Sequence, residues 1–104
     1  MKGLTMDVPL TVSAIVRRAD TIFGHKHVVS RLPDRSLCRH SYAQVVERAK
    51  RLAVALRGLG VQPGDRVATL GWNHHQHLEA YFAIPAIGAV LHTLNLRLHQ
   101  DELA

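Results

Sequence analysis

Gly64–Thr93 reads GDRVATLGWNHHQHLEAYFAIPAIGAVLHT, and the fold turns on how this stretch divides. Arg66–Trp72 is apolar without strict alternation, the pattern of a strand covered on both faces of a parallel sheet. Asn73 can cap a following helix, with Gln76 three residues on completing a box. The spacing predicts a helix over 74–87 and a second strand over 90–93, together a right-handed βαβ unit. Pro85 deletes the bond to the Tyr81 carbonyl and should bend or end that helix, and Gly88 lets the chain turn.

Working back from this unit, Pro63-Gly64 suits a type II turn. Before it, Tyr42, Val45, Val46, Ala49, Leu52, Ala53, Leu56 and Leu59 recur at helical spacing, predicting a helix over 42–59. Ser41 and Gln44 form a capping box, and Gly60 supplies a left-handed stop on which Val61 can close against Leu56. The outer face carries Gln44, Glu47, Arg48, Lys50, Arg51 and Arg57 and reads as a solvated face with a Glu47–Arg51 pair.

Further back, His27–Leu32 and Leu37–Ser41 flank PDRS and predict a β-hairpin over 27–41. Val12, Ile15, Val16, Ala19, Ile22 and Phe23 predict a helix over 12–23, capped by Thr11 and ended by Gly24 in a left-handed conformation. Residues 1–10 read as an irregular arm, and 11–104 as a partial subdomain incomplete at its C-terminal end. His99 and Glu102 start a last helical turn, which ends after one turn as if cut. The whole is a three-layer α/β fragment with a hairpin and a βαβ unit.

Composition narrows the function. A chain of 104 residues with 47% hydrophobic and 20% charged residues belongs with globular proteins. The net charge of +5 is spread out, and only 5% of residues are aromatic, so the stacking platforms of a nucleic-acid binder are missing. The N-terminus has no signal-peptide core. The longest apolar run, Ala80–Leu91, is too short to span a bilayer, so the expected location is cytoplasmic. Cys38 stands alone, which is read as ruling out an internal disulfide and any cysteine-based zinc site, and it suits a reducing compartment.

Three histidines in four residues invite a metal reading. His74 and His77 have a usable spacing, yet catalytic zinc wants three protein ligands and an open position. The distant candidates are His25, His27, His92 and Cys38, and no local pattern brings them together. A helix N-terminus also disfavours imidazolium, so His74, His75 and His77 are expected to be polar, mostly neutral surface groups. The expectation is no metal site and no tight zinc binding. Gly58, Gly60 and Gly64 mimic a phosphate loop, but they close a helix and lead into a strand, the reverse of a dinucleotide fingerprint. His92, Thr93 and Asn95 sit where ligands collect beside parallel strands, though a loop held by its own polar side chains accounts for them. No catalytic or cofactor-binding residue is assigned.

SYAQVVERAKRLAVALRGLGVQPGDRVATLGWN, continued by HLEAYFAIPAIGAVLHTLNLRLHQDELA, resembles the N-terminal region of AMP-forming acyl-CoA synthetases. This adenylate-forming superfamily also includes luciferases and peptide-synthetase adenylation domains. VVSRLPDRSLCRHSYA and GLTMDVPLT fit it as well, so the resemblance covers essentially the whole chain. GDRVATLGWN and GAVLHTLNLRL are similar to the bacterial fatty-acyl-CoA synthetase branch, whereas most other branches carry Pro where Trp72 stands.

The resemblance implies a parent enzyme that activates a medium- or long-chain fatty acid with ATP and Mg²⁺ to acyl-AMP. The acyl group is then transferred to coenzyme A. The family's Ser/Thr/Gly-rich loop with its Lys, aromatic-Thr-Glu segment, ribose-binding Asp and mobile C-terminal Lys match no position here. The implied role is scaffold, inactive alone, with the remainder of the parent enzyme as partner and room for a homodimer. A free-standing interaction module and a fragment of a benzoate- or coumarate-type ligase are the alternatives. Strand 66–72, apolar on both faces with few elements to cover it, predicts an isolated chain that is aggregation-prone or partly molten.

Overall fold

The computed structural model describes residue 3 and residues 5–103 of the chain. Part of the expected arm, Met1, Lys2 and Leu4, lies outside the described residues, as does Ala104. Residues 5–10 form no helix or strand, and Met6, Val8 and Leu10 are exposed.

The elements run α1 (Val12–Phe23), β1 (His27–Arg31), β2 (Leu37–Ser41), α2 (Tyr42–Gly58), β3 (Arg66–Thr69), α3 (His75–Ala86), β4 (Val90–Thr93) and α4 (Gln100–Leu103). β1 and β2 pair antiparallel, with Ser30 opposite Cys38. β3 and β4 pair parallel, with Val67 opposite Leu91, and α3 connects them. The α/β class with its hairpin and βαβ unit is therefore the observed one.

Local chemistry explains most boundaries. The hydroxyl of Ser41 accepts from the Gln44 N–H at 3.2 Å, and the Ser41 N–H donates to Gln44 Oε1 at 2.8 Å. At the other end of α2, Gly60 has φ of 96°, and the Val61 N–H reaches the Leu56 carbonyl at 3.1 Å. The same closure ends α3: the Ala89 N–H reaches the Ile84 carbonyl at 3.2 Å, one turn after Pro85 has removed a donor. In the turn before β3, the Asp65 N–H donates to the Gln62 carbonyl, and Gly64 has φ of 90°, as a type II turn requires.

Four boundaries differ from expectation. Gly24 is right-handed (φ −53°), so α1 does not end on a left-handed glycine. It is held instead by α2, whose Ala43 N–H donates to the Gly24 carbonyl, and a Cβ there would meet the Asp20 carbonyl oxygen at 2.6 Å. β1 stops at Arg31, because Leu32 already joins the turn by donating to the Ser36 carbonyl. β3 stops at Thr69 rather than Trp72, because its partner among the described residues, β4, ends at Thr93; the Leu94 N–H to the Thr69 carbonyl is the last bond. His74, not Asn73, caps α3: its Nδ1 accepts from the His77 N–H at 3.2 Å.

The core lies where α2, α3 and the βαβ unit meet. Val45, Val46, Ala49, Ala83, Ile84, Ile87 and Ala89 are its buried apolar residues, with Leu56, Val61, Val67 and Leu91 packed against the Ile84 group. β3 is covered on one face only: Val67 and Thr69 turn inward while Arg66 and Ala68 face out. The expectation of a strand covered on both faces is not met by the elements present. α1 packs with less of its apolar stripe than its spacing suggests, leaving Ile15 67% and Ile22 52% exposed.

Candidate functional site

The α3 N-terminus is the chemically densest place in the fold. The His75 N–H donates to the hydroxyl of Ser30 at 2.9 Å, which docks the first turn of α3 onto the hairpin. That docking buries His75 against β1 and the His40 ring of β2, and His77 is buried too, so neither is the surface group expected. Burial, with His40 as a second cause, pushes the His75 imidazole below its ordinary value, so it is held neutral.

His77 faces the βαβ crevice. Its Nε2 lies 2.9 Å from Thr69 Oγ1 at the carboxyl end of β3, and its ring sits 5.2 Å from that of Tyr81. Gly71, Trp72, Asn73, Thr93, Asn95 and Arg97 complete an open cleft beyond the carboxyl ends of β3 and β4. Ligands of parallel α/β sheets bind at this end of the strands. His92 and Thr93 belong to β4 itself rather than to the loop after it. Asn95 does tie that loop down, since its Oδ1 accepts from the Arg97 N–H at 3.0 Å.

The fold does not unite the histidines singled out by spacing. The His74 Nδ1 is occupied as the helix cap, and the His74 and His77 rings stand 6.4 Å apart. Among the described residues, one group brings three potential metal-ligand atoms within 4.8 Å of one another: Cys38, His40 and His75. His25, His27 and His92 are outside it. His40 was not visible as a candidate from spacing, although its i, i+2 relation to Cys38 on a strand puts both on one face.

The basic face of α2 is also more than solvated surface. Glu47 and Arg51 pair at 3.1 Å as expected, but Arg48 reaches across to the buried Glu79 of α3. Glu79, 31 residues away in sequence, was legible neither by period nor by motif.

A family model described as AMP-binding enzyme matches residues 17–104. The chain belongs to the AMP-binding enzyme family. It is 56% identical over 99 residues to the long-chain-fatty-acid–CoA ligase of Thermus thermophilus, covering 95% of this chain and 18% of that enzyme. A 3-methylmercaptopropionyl-CoA ligase of Ruegeria lacuscaerulensis is 38% identical over 99% of the chain and 19% of its own length. Among solved structures, the inhibitor-bound N-terminal domain of FACL13 from Mycobacterium tuberculosis superposes with a TM-score of 0.80 at 28% identity, over 89% of this chain and 23% of that one. The chain thus spans about a fifth of the length of these relatives.

ATP and Mg²⁺ are implied by the AMP-binding family, and the residues of this segment do not fit them. Gly58, Gly60 and Gly64 close α2 and turn into β3, so their N–H groups do not gather at a helix N-terminus. Of the helices that follow a strand, α2 has its N-terminus closed by the Ser41–Gln44 capping box, and α3 has one first-turn donor bonded to Ser30 and another to His74. The described residues therefore form no nucleotide cradle. Among the described residues no helix is long and apolar enough to cross a membrane.

Proposed function

We propose that this chain is a scaffold portion of a fatty-acid–CoA ligase. In the full-length protein, a medium- or long-chain fatty acid is activated by ATP and Mg²⁺ to acyl-AMP and passed to coenzyme A. Residues 11–104 act as part of its N-terminal subdomain, and the 104-residue chain alone is inactive. The observation that carries this reading is the 56% identity to the Thermus thermophilus ligase along 95% of the chain. The buried packing of α2, α3 and the βαβ unit supports a scaffold reading. Its contribution is mechanical: α3 packs on the paired β3 and β4, with the Thr69–His77 bond at the carboxyl end of β3, and α2 packs on α3.

The test is a chimera in which this chain replaces the matching segment of the Thermus thermophilus enzyme. Fatty-acid-dependent pyrophosphate exchange is measured for the chimera and for the 104-residue chain. Exchange by the chimera and none by the chain is the expected result. Acyl-adenylate formed by the chain alone overturns the scaffold role. A folded, inactive chimera favours a free-standing interaction module instead.

A further inference from the structure

We propose that Cys38, His40 and His75 form a zinc-binding site that staples the hairpin to the start of α3. The argument starts at the strand. Cys38 and His40 are two apart on β2, so their side chains share one face, and both are part-buried, while Leu37 and Arg39 point out. Ser30, opposite Cys38 in the hairpin register, holds the His75 N–H at 2.9 Å and so fixes which α3 residue stands over that face. The result is a thiol and two imidazoles from two elements, converging from positions 38, 40 and 75.

The geometry is close to a coordination shell. The Cys38 Sγ and His40 Nδ1 are 3.5 Å apart, and the three donor atoms lie within 4.8 Å of one another. A tetrahedral zinc with bonds of about 2.3 Å to sulfur and about 2.05 Å to nitrogen has edges of about 3.4–3.6 Å. One edge is therefore already formed, and the others need side-chain movement of roughly an ångström. A second observation points to a ligand: His75 is only 6% exposed, yet its Nδ1 has no hydrogen-bond partner among the described residues. A buried imidazole nitrogen without a partner costs stability unless something binds it.

The donor set selects the metal class. Thiolate with imidazole suits zinc rather than calcium or magnesium, which take oxygen ligands. Three protein ligands leave a fourth position for water, and Glu79, whose Oε1 pairs with Arg48, is not among the clustered donor atoms.

Cobalt is the spectroscopic probe. Co²⁺ is titrated into the 104-residue chain and into the chimera described above, with Zn²⁺ as competitor. One Co²⁺ per chain is expected, with a thiolate charge-transfer band and tetrahedral visible bands that equimolar Zn²⁺ abolishes. Cys38→Ser removes the charge-transfer band. His75→Gln weakens binding by roughly tenfold or more, since even outer-shell losses at metal sites cost that much. His92→Gln, outside the cluster, leaves binding unchanged. Where a variant loses its circular dichroism, protection of Cys38 from alkylation by Zn²⁺ in the unaltered protein is the deciding measurement. Absence of the thiolate band in both proteins, no protection of Cys38, or binding indifferent to His75→Gln overturns the site and leaves a thiol–imidazole hydrogen bond only.

Discussion

Glu79 is a carboxylate with 7% of its side chain exposed, facing one guanidinium from another helix. Removing Arg48 leaves that charge uncompensated. Breaking a fully buried pair costs about 3–5 kcal/mol. Here Arg48 keeps 43% of its side chain in water, and the water that replaces it solvates Glu79 in part, which lowers the cost to about 2 kcal/mol. Arg48→Ala is therefore expected to lower the urea midpoint of the chimera clearly, while Arg51→Ala, in an exposed pair, stays within about 0.5 kcal/mol. Arg48→Met with Glu79→Leu should recover most of the loss; equal effects of the two single alanine changes would refute the pairing argument. A second residue-scale expectation concerns Asp34 in the hairpin turn. Its Oδ1 accepts from the Ser36 hydroxyl at 2.6 Å and from the Ser36 N–H at 2.9 Å, which together hold its carboxyl below the ordinary 3.8. A lowered folded value stabilises the turn above the ordinary value, and that contribution is lost as pH falls through the folded one. In an NMR titration Asp34 should titrate below 3.8, and Ser36→Ala should bring it back up. What was legible at this scale was local: Thr11, Ser41 and Gln44 cap their helices because a cap needs only its own first turn. Arg48–Glu79 and Cys38–His75 were not legible, because each depends on how α3 lies against elements more than 30 residues away.

The same distinction operates between elements. Each helix type and each strand pairing was readable, because period and turn chemistry are properties of a single segment. Strand length was not. β3 continues as apolar sequence to Trp72, but a strand exists only where a neighbour offers a ladder, and β4 offers four residues. The histidine turn was misjudged for the same reason: a helix N-terminus is ordinarily wet, and here the hairpin packed over His75, with Thr69 and Tyr81 beside His77, buries the two. The α2 terminus is the case in which local chemistry suffices. Gly60 sits at φ 96° with open space around its Cβ position, so Gly60→Ala tests backbone strain without a steric clash. A left-handed non-glycine residue costs about 1–2 kcal/mol, and the urea midpoint should fall accordingly. Gly58→Ala, inside the helix and equally unobstructed, should instead gain up to about 1 kcal/mol. Equal responses at the two glycines would show that the Schellman closure contributes nothing.

For the molecule as a whole, surface area decides between a self-sufficient domain and a portion of one. The described chain exposes 8246 Å², whereas a compact monomer of its 11.6 kDa mass exposes about 5,800 Å². Its radius of gyration is 16.2 Å against about 13 Å for a globular domain of this length. The excess is partly apolar: Leu59 is 82%, Trp72 71%, Leu70 58% and Val90 52% exposed, the last three along the outward face and carboxyl edge of β3 and β4. Burying a large apolar side chain contributes about 1.5–3 kcal/mol, so four left wet forgo an amount comparable to the 5–15 kcal/mol that typically separates folded from unfolded states. The isolated 104-residue chain is therefore expected to bind a hydrophobic dye, to unfold without a sharp transition and to self-associate as concentration rises. If the Thermus thermophilus portion covers the same surface in the chimera, dye binding per chain should fall and unfolding should become cooperative. Trp72 reports the change directly: its emission should sit near that of free tryptophan in the isolated chain and shift to the blue in the chimera. A cooperative, dye-silent monomer with the same Trp72 emission alone and in the chimera would mean that the exposed face of β3 and β4 needs no cover.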